Sequence, residues 1–425
     1  MEEVIPSNLD LFSLLPQQLT VSESKYEKVL SKTSLSTADI PQIEFTVNPD
    51  MVCYTDLKNS VIMLKCKYTK GDGSAIADPA DIGPVQAPLT SIAKAVDMLI
   101  NDSKVTPNEP NQAYISWFHQ FMENDNVKGS QLTTGLYIPD DYSTLQKASQ
   151  DDPQAAANNN VGLKKRANKF SDSESVELVG RIFIVPHLMN RWLLPNCKLD
   201  YIFYLNPLGF YSMSAGAVAN YRFWITEAAL LIRRITVSPG MAMAHSTMLQ
   251  ERNAVYPVKY MLSRSMNIPA QSYEFHFENA FSGNELPVSI LVMFVDAAAK
   301  VGSLSENPYL FKHMDLTSLT CRLGAKYIPS APFKMDAQHH RTQMVLWRTF
   351  MSLGIFGSNT GPTAFNRDTF DTGLAIMGLD LSRDGDPNAA YNNATFEANT
   401  LSIDGTFQIA TPALTTGKRR NYIYI

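Results

Sequence analysis

The seven histidines are the first residues to test for chemistry. His276 and Glu278 stand in "HFE", half of the His-x-Glu plus Pro-Cys-x-x-Cys set with which a zinc deaminase activates water. The other half is missing. The four cysteines, Cys53, Cys66, Cys197 and Cys321, are dispersed, so the chain holds no CxxC zinc or redox pair. Strand alternation puts His276 and Glu278 on one face. A cupin-type enzyme needs clustered histidines with a carboxylate on neighbouring strands, but His339 and His340 are adjacent and their side chains diverge. His119, His187, His245 and His313 are scattered singly, and a lone histidine is usually structural. "LDLSRDGD" (379–386) is acidic but lacks the alternating oxygens and closing Glu of a calcium loop, so it reads as a turn. No GxSxG, HExxH, phosphate loop or GxGxxG occurs. No catalytic, cofactor-binding or metal residue is assigned, and an enzyme is not expected.

One dense cluster remains. "WFHQFM" (117–122) returns in similar form as "WRTFM" (347–351). Such a pair is either a divided chemical site or one structural element built twice. Around the first, apolar residues at 114, 115, 117, 118, 121 and 122 have helical spacing and one wide apolar face, with His119 off it. That favours a structural helix.

The surrounding elements must position it. The chain has 425 residues, 45% hydrophobic and 10% aromatic, enough for a real core in two or three domains. A net charge of −5 argues against nucleic-acid wrapping, which needs clustered Lys and Arg. The start "MEEVIPSNLDLF" is acidic without a long apolar core, and no run approaches the roughly 18 apolar residues of a membrane span. A soluble protein made in the cytosol with reduced, buried thiols is expected.

Residues 1–38 read as an extended arm with apolar anchors Leu9, Leu11, Phe12, Leu14 and Leu15. Strand patterns follow at "QIEFTV" (42–47) and "SVIMLKCKYTKGDGS" (60–74). "TSIAKAVDMLINDSKVTP" (90–107) fits either strand or helix in its first half. Residues 139–175 are small, polar and charged, and read as a long exposed loop with Lys164, Lys165 and Arg166 as a solvated basic face. Further strands are expected in "SVELVGRIFIVP", "CKLDYIFYLNP" and "FWITEAALLIRRITVSP", then a bridging helix at 240–253. The remainder is again β-patterned, apart from a helix around "RTQMVLWRTFMSLG".

Matches recur in order. Ser60 and Ser289 open apolar runs of equal length that close on Gly-Ser, "TSI" at 90 matches "TSL" at 317, and Trp117 matches Trp347. The offsets are 229, 227 and 230, which points to duplication. Two β-rich halves must avoid open sheet edges, as jelly rolls do. The expected fold is all-β with a few short helices: two tandem eight-stranded jelly rolls, at 39–240 and 241–425.

Ordered segments also carry a family resemblance. "SNLDLF", "YTKGDGSAIADPADIGPVQAPLTSI", "SQLTTGLY", "NVGLKKRA", "VELVGRI", "LLIRRITVSPGMAMAH", "NPYLFKHMDL" and "FNRDTFDTGLAIMGLDLS" together resemble the major capsid protein of Polinton/Maverick elements and related adintoviruses, over about residues 7–410. The resemblance implies a double jelly roll forming homotrimers of pseudo-hexagonal outline that tile an icosahedral shell. It also implies location in the virion, contacts with neighbouring capsomers and with penton or minor capsid proteins, and no cofactor, specific nucleic acid or membrane span. The alternatives are a minor capsid protein, against which the duplication argues, and a jelly-roll carbohydrate- or receptor-binding module.

Overall fold

The computed structural model describes residues 18–142, 153–154, 160–214, 220–283, 287–324, 326–358, 360–382, 385–387, 399–409, 411 and 420–424. Ten strands come first: β1 (Val21–Leu30), β2 (Gln42–Val47), β3 (Tyr54–Lys70), β4 (Ile82–Pro84), β5 (Ala93–Ile100), β6 (Ser103–Lys104), β7 (Val176–Arg181), β8 (Leu199–Leu205), β9 (Ser212–Ser214) and β10 (Tyr221–Val237). Eight follow: β11 (Arg264–Ile268), β12 (Glu274–Gly283), β13 (Ser289–Asp296), β14 (Leu316–Leu323), β15 (Lys326–Lys334), β16 (Ile376–Asp380), β17 (Asn399–Phe407) and β18 (Arg420–Tyr424). The helices are short: α1 (Pro88–Ser91), α2 (Gln112–Phe121), α3 (Asp125–Gly129), α4 (Val161–Ala167), α5 (Leu208–Tyr211), α6 (Pro239–Glu251), α7 (Ala297–Val301), α8 (Gln343–Ser352) and α9 (Arg367–Thr372).

Local sequence explains the strands. In β2, Ile43, Phe45 and Val47 point inward while Gln42, Glu44 and Thr46 stay half-exposed, the alternation of a strand with one buried face. Its antiparallel pairing with β8 sets Phe45 against Tyr201 and Ile43 against Phe203, and the Phe45 and Phe203 rings meet edge-on at 5.8 Å. In β13 the alternation disappears. Ile290 to Val295 are all buried, as an apolar run covered on both faces requires. The covering layer is helical. Thr349 of α8 accepts from Gly378 N at 2.8 Å and donates to Ile376 O at 3.2 Å, which docks α8 on β16. A Cβ on Gly378 would collide with Ser352 Oγ and lie 2.9 Å from Thr349 Cα, so glycine permits this approach.

The duplication is written into the sheets. The first half forms sheets in the orders β1-β10-β3-β7 and β2-β8-β5-β6, and the second forms β11-β18-β13-β16 and β12-β17-β14-β15. Each strand of one set has a counterpart in the same place in the other, and the short β4–β9 pair is an addition to the first half. The two Ser-initiated apolar runs begin within β3 and at the first residue of β13. Of the eight matched strands in each roll, helices α2 and α8 both lie between the fifth and the sixth. Among the described residues, no sheet mixes strands of the two halves, yet buried apolar side chains form one continuous cluster through both.

Two expectations are corrected. The stretch 21–30 is not part of an arm: β1 pairs with β10 as the edge of the first sheet, because Val29 and its neighbours find a partner more than 190 residues away. The anchors Leu9 to Leu15 lie outside the described residues. The 139–175 segment, where described, is not an exposed loop. Helix α4 buries Leu163, Arg166 and Ala167, and Phe170 follows into the core. The ambiguous 90–107 stretch resolves into the end of α1 followed by β5 and β6. The expected bridging helix is α6, and none of its residues is buried.

Candidate functional site

The histidines do not converge. His276 on β12 lies between Asp404 of β17, which meets its Nδ1, and Glu278, whose Oε1 is 3.1 Å from Nε2. His276 and Glu278 do share a face. His339 pairs with Asp336 at 2.7 Å and His340 with Asp371 at 3.1 Å, so the adjacent rings diverge to separate carboxylates. His187 is buried against Tyr201 OH at 3.0 Å, and burial pushes its pKa down to about 3. His119 stacks on Phe183 at 5.6 Å and is pushed down to about 4 by burial, then by Arg181. His245 meets Tyr54 OH at 2.8 Å, and His313 accepts from Asp315 N at 3.1 Å. Among the described residues, no three His, Cys, Asp or Glu side chains group as metal ligands. A cavity of about 30 Å³ between the sheets of the first roll is lined mainly by apolar side chains such as Ile62, Leu64 and Phe203, which leaves room for a water or two.

The Asp404 carboxylate, then Glu278, raises the His276 pKa above the ordinary histidine value. Protonated His276 therefore holds β12 to β17 most firmly below the unfolded pKa near 6.5. The contribution fades as pH rises through the higher folded value. The ring is exposed, so the effect is worth at most about 1 kcal/mol. The thermal-midpoint difference between wild type and His276→Gln is expected to be larger at pH 5.5 than at pH 8.5. Equal differences at both pH values would count against the pair.

The dense chemistry lies instead where the rolls meet. One face of α2 carries Tyr114, Trp117 and Phe121. Trp117 stacks on Tyr309 at 5.2 Å and lies 5.1 Å from Phe311, both from the second half. Tyr114 meets the same two rings, and Phe121 meets Phe365 at 6.1 Å. Hydrogen bonds surround the stack. Ser91 Oγ and Tyr309 OH are 2.6 Å apart, Asn111 donates to Ser263 at 2.8 Å, and Ser263 N donates to Glu109 at 2.7 Å. Thr363 N donates to Asp125 at 3.0 Å. "WFHQFM" is therefore a structural helix, and its particular task is to join the rolls.

Beside it sits a buried charge network that sequence reading missed. Arg166 and Asp140 are both fully buried and paired at 2.5 Å. Arg166 Nε donates to Pro84 O at 2.8 Å, and another of its nitrogens donates to Ile138 O. Asp140 also accepts from Asn160 at 3.0 Å and, across the junction, from Asn307 at 3.0 Å. Reading "KKR" as a solvated face holds only for its exposed part. Leu163 and Ala167, four apart, mark the inner side of α4, and Arg166 shares it.

Two eight-stranded rolls, each a pair of four-stranded sheets, make this a double jelly roll. No protein-family model matches the chain. A chain of the Sputnik virophage structure determined by cryo-EM is 14% identical with a TM-score of 0.61, covering 100% of this chain and 89% of that one. The mavirus major capsid protein is 11% identical with a TM-score of 0.56, covering 100% and 92%. The Faustovirus major capsid protein is 8% identical with a TM-score of 0.54, covering 98% and 91%. At these identities the likeness shows the fold, across both rolls. The uncharacterized protein F54H12.2 of Caenorhabditis elegans is 21% identical over 368 residues, 82% of this chain and 81% of that protein.

Proposed function

We propose that this chain is the major capsid protein of a double jelly-roll virus or virus-like element, of the Polinton/Maverick type its sequence resembles. One observation carries the reading. The described residues form a duplicated roll whose halves are joined by stacked rings and buried hydrogen bonds, and the chain matches two viral major capsid proteins over nearly their full lengths. The two rolls span about residues 39–240 and 241–425, with β1 completing the first. Three copies place six similar sandwiches around a threefold axis, giving a near-hexagonal block that packs into shells. The chain is synthesised in the host cytosol and resides in the virion, and its partners are further copies of itself and the proteins that fill the fivefold vertices.

Function then lies in surfaces rather than in a reaction, and no catalytic residue is proposed. A carbohydrate-binding module or a vertex protein needs one roll, whereas here the second roll is joined to the first by rings and buried hydrogen bonds that would serve no purpose in a single-roll protein. Electron microscopy of the purified chain tests the reading: three-lobed, near-hexagonal blocks and sheets or shells made from them are the expected images.

A further inference from the structure

The two copies of the tryptophan helix meet different surroundings. On α2, Tyr114, Trp117 and Phe121 stand at i, i+3 and i+7 and form one stripe. All three are buried, because Tyr309, Phe311 and Phe365 of the second roll lie on them. On α8 the residues 230 positions later are Met344, Trp347 and Met351, at the same spacing. The inner face of α8 is carried by Val345, Leu346, Thr349 and Ser352, all buried. The outer stripe is open. Met344 is 59% exposed and Trp347 is 40% exposed. Phe356, also 59% exposed, meets Trp347 edge-on at 6.1 Å and widens the patch.

We infer that this α8 stripe is the contact between protomers, and that its occupant is the first jelly roll of a second copy of this chain. The inference rests on the capsid reading, which supplies the ring of rolls. Within one chain, the stripe of the first roll is covered by the roll that follows it. The second roll has the same strand order and the same helix in the same place, so its stripe faces the position where the next roll of a ring would stand. In a ring of two-roll chains that position belongs to the first roll of the neighbour. Repeating one junction, alternately within and between chains, closes the ring and leaves no stripe open. The residue types agree. An exposed Trp with Met and Phe beside it is the composition of an interface centre, and the flexible methionines can settle against a surface that is not identical to the one on α2.

The test is light scattering with size-exclusion chromatography on the full chain, over a range of concentrations. The proteins are wild type, Met344→Glu/Trp347→Glu, and Met344→Glu alone. Met344 is mostly exposed, so the single variant keeps the fold even if the double one does not. Wild type is expected to be trimeric. Each variant is expected to keep the wild-type circular dichroism and to dissociate more readily, with the dissociation constant raised on the order of 30-fold or more when Trp347 is replaced. Folded variants that remain as trimeric as wild type overturn the inference and leave the capsid reading standing. Variants that form normal trimers but fail to form shells also overturn it, since the stripe would then serve contacts between trimers or with another protein. A folded wild-type chain that never associates overturns both.

Discussion

Replacing Arg166 with Ala is expected to cost about 3–5 kcal/mol, among the largest single-residue losses in the chain. The guanidinium is fully buried and spends its donors on Asp140 and the carbonyls of Pro84 and Ile138. Removing it strands the Asp140 carboxylate away from water with only amide partners, and breaking one side of a buried pair costs far more than the pair itself contributes. Asn307 shares that carboxylate, so the disturbance reaches the second roll. For a chain this long, unfolding entropy converts the loss to roughly 3–6 °C in thermal midpoint. Arg166→Lys is expected to recover little, because one ammonium cannot reproduce a planar fork serving three acceptors. A midpoint within 1 °C of wild type for Arg166→Ala would contradict this account.

Trp117→Ala is expected to cost about 3–5 kcal/mol as well, through a cavity at the junction. The indole is fully buried and stacked between Phe121 and Tyr309. Trp117→Phe should cost clearly less. It keeps an aromatic in the stack, and the buried indole nitrogen it removes has no hydrogen-bond partner to lose. Because the cavity opens between rolls, the alanine variant should also be cut more readily by protease near the inter-roll segment around α6, an exposed helix. Equal stability of the alanine variant and wild type would mean that the rolls hold together without the stack.

What was legible in the sequence was whatever repeats or alternates. The β2 alternation, the β3 and β13 apolar runs and the α2 and α8 helices could each be read from periodicity, and their order gave the duplication that the sheet orders bear out. Two kinds of feature escaped. Residues 21–30 carry Ser, Lys and Glu on an edge strand with no fully buried position, so no apolar pattern marks β1, and only its distant partner β10 makes it a strand. The Arg166–Asp140–Asn307 network escaped because charge usually signals exposure. Burial here depends on partners 26 and 167 positions from Asp140, a pairing that no local window contains. The junction role of "WFHQFM" was hidden for the same reason: periodicity shows that a helix has an apolar face, not which roll covers it.

Single-particle cryo-EM of the purified chain, alone and after assembly, tests the capsid reading most directly. A threefold particle with six similar β-sandwiches in a near-hexagonal ring, three bonded pairs joined by α8, is expected, with the same blocks tiled edge to edge in shells. Folded monomers at every concentration, or an oligomer in which the two rolls of each chain do not alternate around one axis, would contradict it.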